Sequence, residues 1–292
     1  MPSLIDIRRR IRSVKNTQQI TKAMKMVSSA KLRRAQEKAI AARPYAKMLQ
    51  QVLANVAQAA GGDEQPLLTV RLEKRILCVV ITADSGLAGG FNANLIKLAH
   101  TFVNQHKDSE ISFVLIGKKG RDYFRKRREV MKATIVSEHI DMFRKLVFED
   151  AEKIANLIVE KFTSADVDAV YVFSNEFKSV MAPQVSSSRL LPMELPKGGA
   201  ASGTNQSVDY IYEQKPEALL GTLLPRYIKL RVYRALLESI AAEHAARKTA
   251  MDAATSNASD VIDKLTLYMN RVRQASITRE IIEIVSGAAA LD

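Results

Sequence analysis

The run Asp84-Ser85-Gly86-Leu87-Ala88-Gly89-Gly90-Phe91-Asn92 is the first place in this sequence where residue types and spacing suggest chemistry. It follows an apolar run, Arg75 to Thr82, and precedes a helical pattern, the position of a phosphate-cradling loop in α/β folds. It is neither G-x-G-x-x-G nor G-x-x-x-x-G-K-[ST], so a tight strand-to-helix turn using glycine torsions is the stronger reading. The four histidines, His100, His106, His139 and His244, have no metal-ligand spacing. Cys78 falls inside the strand pattern, so a Cys/His nucleophile pair is unsupported. Glu280 and Glu283, three apart on a helix, have the spacing of a solvated face. No catalytic constellation emerges, and no cofactor or metal is expected.

Charge is the second candidate for function. The net charge is +13, and residues 1–60 hold thirteen Lys/Arg against Asp6 and Glu37, leaving about +2 for everything else. This predicts one positive rod on an ordinary protein surface. Such a rod can bind nucleic acid through phosphates or sit against acidic loops of a protein partner. Residues 1–44 contain no aromatic side chain for base stacking, which favours the protein partner. The single cysteine excludes an internal disulfide and suits a reducing compartment. No apolar run is long enough for a membrane span, and the Arg-rich start reads as mature fold because Asp6 lies inside an unbroken helical pattern.

The elements that must present this charge are long helices. Gly221 to Gly287 contains no other glycine and a single proline, Pro225, so one helix is predicted over about 216–287. Its stripe alternates in steps of three and four: Leu220, Leu223, Tyr227, Leu230, Arg234, Leu237, Ala241, His244, Lys248, Met251, Thr255, Ala258, Ile262, Leu265, Met269 and Val272. That is a narrow coiled-coil seam, on a helix of roughly 100 Å at 1.5 Å per residue. Ser3 and Asp6 predict a capping pair that opens the first helix. Its seam is Leu4, Ile7, Ile11, Val14, Gln18, Thr21, Lys25, Ser28, Leu32, Ala35, Ala39 and Ala42. The middle four are polar, so the apolar face is expected to drift onto Ile20, Met24 and Val27, with a kink or restart at Pro44 and an end at Gly61-Gly62.

Between the helices the period changes. Strands are predicted at 75–82, 111–116, 131–136 and 169–174, alternating with helices at 92–106, 118–128 and 147–163, which reads as a parallel α/β layer. Residues 184–193 predict an antiparallel edge strand, and 194–208 a mobile loop. The expected fold is α/β: long N- and C-terminal helices paired as an antiparallel coiled coil, with an inserted Rossmann-like α/β domain. Its parts are 1–60, an α/β domain at 70–195, a loop at 196–215, and the helix 216–287 with a tip at 288–292.

The run Ile277-Thr278-Arg279-Glu280-Ile281-Ile282-Glu283-Ile284-Val285-Ser286-Gly287-Ala288-Ala289-Ala290 resembles the C-terminal signature of the gamma subunit of the F-type rotary ATP synthase. Asn16 to Val27 followed by Lys31-Leu32-Arg33, Arg43-Pro44-Tyr45, the glycine turn at 84–90, and Val208-Asp209-Tyr210-Ile211-Tyr212-Glu213 also resemble that family. The resemblance implies a central stalk without catalytic residues of its own. Its implied partners are the alpha and beta subunits of the head, with an epsilon subunit and the membrane c-ring at the foot. The implied location is peripheral, on the cytoplasmic face of a bacterial inner membrane. Carried over by position, Lys22, Met24, Lys25, Arg273, Gln274, Thr278, Glu280 and Glu283 are the expected contacts with the ring. Ile281, Ile282, Ile284 and Val285 are the expected apolar bearing tip. The competing reading is a coiled-coil interaction protein, or a nucleic-acid-binding arm, without a motor role.

Overall fold

The computed structural model describes residues 3–59, 65–179, 182–194 and 214–289. The elements are α1 (Leu4–Ala59), a 3-10 turn (Pro66–Leu68), β1 (Arg75–Ile81), α2 (Phe91–Gln105), β2 (Glu110–Ile116), α3 (Lys118–Arg127), β3 (Thr134–His139), α4 (Phe148–Thr163), β4 (Ala169–Ser179), β5 (Ala182–Leu191) and α5 (Pro216–Ala289). Two compact units result: Met1–Ser29 with Arg247–Asp292, and Ala30–Ala246. The predicted 194–208 loop falls mostly on residues outside those described.

In the larger unit the sheet order is β3-β2-β1-β4-β5, with β5 antiparallel to β4 and the other pairs parallel. The central strand β1 is buried along almost its whole length because both faces are covered. Ile76, Cys78 and Val80 face Leu95, Ala99 and Val103 of α2 and Phe124 of α3. Leu77, Val79 and Ile81 face the opposite layer, built from Ile154 and Ile158 of α4, Leu53 and Val56 of α1, and Leu224 and Ile228 of α5. A period-2 strand between two helical layers accounts for the continuous apolar run in the sequence.

Asp168 ties the start of β4 to the start of β1. Its carboxylate accepts from the Arg75 backbone N–H at 2.9 Å, from Nε at 3.2 Å and from Nη2 at 2.8 Å, while its own N–H donates to the Arg75 carbonyl at 2.7 Å. Hydrogen bonding from Arg75, opposed by burial, holds the Asp168 carboxyl below the usual carboxylate range. A depressed folded value means that this stabilisation is present above the unfolded carboxyl value of about 4 and is lost as pH falls through the lower folded value. The expected outcome is a urea midpoint that drops more steeply on acidification for the native chain than for Asp168→Asn. Parallel acid limbs in the two proteins would mean that the latch contributes nothing to pH dependence.

Several expectations are corrected. No restart occurs at Pro44, and α1 runs as one helix from Leu4 to Ala59. Ala46 and Leu49, beyond the proline, are buried against Leu230, Tyr227 and Leu223, and this packing outweighs the roughly 3 kcal/mol cost of an interior proline. The narrow seam predicted for α5 does not describe residues 220–246. There Leu224, Ile228, Val232, Leu236, Ser239, Ile240 and Ala245 are buried off the stripe, because the α/β layer covers a second side of the helix, while Arg234 on the stripe is exposed. β3 begins at Thr134 rather than Met131, β4 extends to Ser179, and β5 begins at Ala182.

Candidate functional site

In the smaller unit the N-terminal start of α1 is fixed as its residue types require. Ser3 Oγ accepts from the Asp6 N–H at 3.2 Å and donates to Asp6 Oδ2 at 2.8 Å, and Asp6 Oδ2 also accepts from the Ser3 N–H at 3.3 Å. From there Leu4, Ile7, Ile11, Val14, Gln18, Thr21, Lys25 and Ser28 are the buried or half-buried positions, with Met24 and Ser29 half-buried beside them. The expected drift onto Ile20 and Val27 does not occur; they are 60% and 55% exposed. The polar residues keep the seam because three of the four, Gln18, Thr21 and Lys25, find a partner on α5.

Gln18 Nε2 donates to Ser259 Oγ at 2.6 Å, the Thr21 and Thr255 hydroxyls lie 2.8 Å apart, and Lys25 pairs with Asp252. Rising numbers on α1 meet falling numbers on α5, so the pair is antiparallel. Each hydroxyl also has a backbone acceptor one turn back, Thr21 the Gln18 carbonyl at 3.0 Å and Thr255 the Met251 carbonyl at 2.7 Å, so either can donate in the central bond. Three polar contacts in succession favour one register, since a slip would separate each group from its partner.

Thr21→Val and Thr255→Val are each expected to cost about 0.5–1.5 kcal/mol, while the double substitution costs clearly less than their sum. Urea unfolding of the four proteins measures this. Strict additivity would show that the hydroxyls do not act on one another.

The predicted contact residues divide into two groups. Lys22 is exposed on α1, beside half-buried Met24 and Lys25, and Lys25 is engaged by Asp252. On α5, Arg273, Gln274, Thr278, Glu280 and Glu283 are all exposed, and Ser276 Oγ donates to Glu280 at 3.3 Å. The apolar end is exposed as well: Ile277, Ile281, Ile282, Ile284 and Val285 range from 49% to 71%. The helix there presents aliphatic side chains around its circumference, a surface that water does not favour.

In the larger unit, the glycine run is a turn held by its own hydrogen bonds. Leu87 and Gly89 have positive φ, Asn92 Oδ1 accepts from the Ala83 N–H at 2.9 Å, and Asp84 Oδ1 accepts from the Lys118 N–H at 3.0 Å. Strands are added to one side of β1 as far as β3 and then to its other side from β4, and at such a switch point doubly wound folds keep a ligand crevice. Here α5 fills that place: Ala242 packs on Ala83, Ala88 and Phe91, with Phe143 and Phe177 alongside, and Ser239 Oγ accepts from the Asn175 N–H at 3.3 Å. Cys78 is fully buried, and burial pushes its thiol far above the ordinary range, which disfavours a nucleophilic thiolate. Among the described residues, no group of His, Cys, Asp and Glu is placed to hold a metal.

Sequence reasoning missed one feature. The near-neutral remainder conceals a local excess on α3, where Lys118, Lys119, Arg121, Arg125, Lys126 and Arg127 face a single acid, Asp122. A windowed charge count would have found it.

The geometry defines a class: an antiparallel two-helix coiled coil carrying an inserted doubly wound α/β domain. Comparison with known proteins makes it particular. A family profile described as ATP synthase matches residues 3–291. The ATP synthase gamma chain of Solibacter usitatus is 60% identical over the full length of both chains, and that of Pelotomaculum thermopropionicum is 48% identical over the same coverage. The chain belongs to the ATP synthase gamma chain family. Among solved structures, a chain of the Euglena gracilis mitochondrial ATP synthase (OSCP/F1/c-ring, rotational state 3) is similar in fold. It has a TM-score of 0.66 at 19% identity, covering 99% of this chain and 94% of that one. A chain of the Tetrahymena thermophila central stalk and c-ring aligns with a TM-score of 0.60 at 23% identity, covering 80% and 99% respectively.

Proposed function

We propose that this chain is the central rotor shaft of a proton-translocating ATP synthase, transmitting torque between the membrane rotor ring and the catalytic head. The observation that carries the reading is the exposed aliphatic end of α5 in a chain of this family. Ile277, Ile281, Ile282, Ile284 and Val285 need an enclosing partner, and a smooth apolar collar lets a shaft turn with little specific adhesion. Polar side chains just before that end, Arg273, Gln274, Thr278 and Glu280, supply the grip, and Lys22 offers charge to acidic loops of the head.

An asymmetric pair of helices presents different side chains to each of several otherwise identical partners. Rotation then changes which partner meets which face, and so shifts the conformational populations of the catalytic sites. The register lock between α1 and α5 suits this task, since torque applied to one helix must not slide it along the other. The chain acts by contact and carries no catalytic group or cofactor of its own in this reading. Its partners are the alpha and beta subunits of the head, with an epsilon subunit and the c-ring at the foot. It is peripheral, on the cytoplasmic face of the bacterial inner membrane. Among the described residues no helix is long and apolar enough to cross a membrane.

The test is purification of the tagged chain from nuclease-treated native membranes, with co-purifying chains identified and ATPase measured before and after truncation at Ser276. Recovery with ring-forming ATPase subunits, and turnover or coupling altered by the truncation, is the expected result. Recovery with nucleic acid and no ATPase would replace the shaft by a binding arm.

A further inference from the structure

The feature that the shaft reading leaves unused is a groove on the α/β unit. Helices α2 and α3 lie on the same face of the sheet, their inner sides committed to the core through Leu95, Ala99, Val103 and Phe124. Their outer flanks diverge around a groove of about 460 Å³. Ala93, Ile96 and Tyr123 line it with apolar surface, and Asn92, Lys97, His100 and Lys119 supply its polar lining. Tyr123 is held in place: His100 meets its ring edge-on at 6.4 Å between centroids, and the Arg127 guanidinium lies over it at 4.2 Å.

The charge here is unbalanced. Arg121 and Arg125 have carboxylate partners in Asp122 and Glu138. Lys97, Lys118, Lys119 and Lys126 are exposed, and no ion pair is formed by any of them among the described residues. Of these, Lys97 and Lys119 line the apolar floor, where their like charges repel one another and an acidic occupant would neutralise them.

We propose that the α2–α3 groove docks an acidic amphipathic helix of a partner protein. A third helix lying between two flanking helices would set apolar side chains, spaced at i and i+3 or i+4, onto Ile96 and Tyr123, and its carboxylates against Lys97 and Lys119. Nucleic acid is a poorer occupant, because the groove has a single phenol ring and that ring is already covered by Arg127. A lipid surface is poorer too, since the apolar residues line a concavity and do not protrude towards a bilayer. The site lies wholly within Ala30–Ala246 and stands independently of the shaft reading.

The test uses the full chain and a fluorescent peptide of about four helical turns, with leucines at helical spacing and glutamates on both flanks. A peptide of identical composition with scattered leucines, and vesicles rich in phosphatidylglycerol, are the comparison probes. The patterned peptide is expected to bind about tenfold or more tighter than the scattered one, with Lys97→Glu and Lys119→Glu each weakening it about tenfold. Arg8→Glu and Arg12→Glu, on the positive rod of the other unit, are expected to leave binding within about twofold. Hydrogen exchange should slow in α2 and α3 on binding. Absence of binding, equal binding of the scattered peptide, equal loss from the Arg8 and Arg12 substitutions, or vesicles displacing the peptide through the same lysines would each overturn the proposal.

Discussion

Gly117→Ala is expected to unfold the α/β unit or leave it destabilised by about 3 kcal/mol or more, a large share of the roughly 5–15 kcal/mol that holds a domain together. Gly117 joins β2 to α3 at φ 89°, a conformation that L side chains rarely adopt. A Cβ there would lie 2.0 Å from the Thr82 carbonyl oxygen and 2.6 Å from its carbon, backbone atoms with nowhere to move. Thr82 is fixed because its own N–H donates to the Ile116 carbonyl at 2.8 Å and its hydroxyl to the same carbonyl at 2.9 Å. The same hydroxyl oxygen accepts the Gly120 N–H at 2.8 Å, so the turn, the strand end and the first turn of α3 form one packed knot. Gly86→Ala is the control: its Cβ would meet only Lys119 Cε, at 3.8 Å, and its φ lies outside the left-handed region. Urea unfolding followed by circular dichroism separates the two. Equal losses would mean that the close approach at Thr82 is not what the glycine serves.

The second large effect is on turnover and leaves folding intact. Arg273 is exposed on α5 in the smaller unit, just before the aliphatic end, and Arg273→Glu replaces a guanidinium that makes no described ion pair within the chain. Its effect on the isolated chain is therefore small, within about 0.5 kcal/mol as for other surface substitutions. In the assembled complex the same change reverses charge at the proposed gripping position, and coupled ATP turnover is expected to fall about tenfold, or about 1.4 kcal/mol in the barrier. The decisive comparison is Arg273→Gln, which keeps hydrogen bonding without the charge and should retain most of the activity. Normal turnover by an assembled Arg273→Glu complex would remove Arg273 from the grip. A matching loss of thermal stability would make its role structural.

Much of this molecule was legible from residue types. The α1 seam from Leu4 to Ala42 is a period of three and four that burial follows position by position, and the Ser3–Asp6 cap is a local hydrogen-bond exchange needing no other part of the chain. The strands were legible because a sheet covered on both faces leaves a continuous apolar run, as in Ile76 to Ile81. The candidate contacts at Arg273 to Glu283 came from resemblance, because exposed polar residues carry no periodic signal of their own.

What the sequence alone determined is the periodicity: which residues share a face, where helix gives way to strand, and where charge accumulates. Tertiary structure decided which partner satisfies each face. Gln18, Thr21, Lys25 and Ser28 look like a break in an apolar stripe until Asp252, Thr255 and Ser259 stand opposite three of them. Pro44 looks like a kink or restart until Ala46 and Leu49 pack beyond it. The glycine turn sits where a ligand loop would lie, and only the packing of Ala242 shows what fills the crevice beside it. In each case the free energy belongs to a pair of residues far apart in the chain, and a local pattern carries only half of a pair.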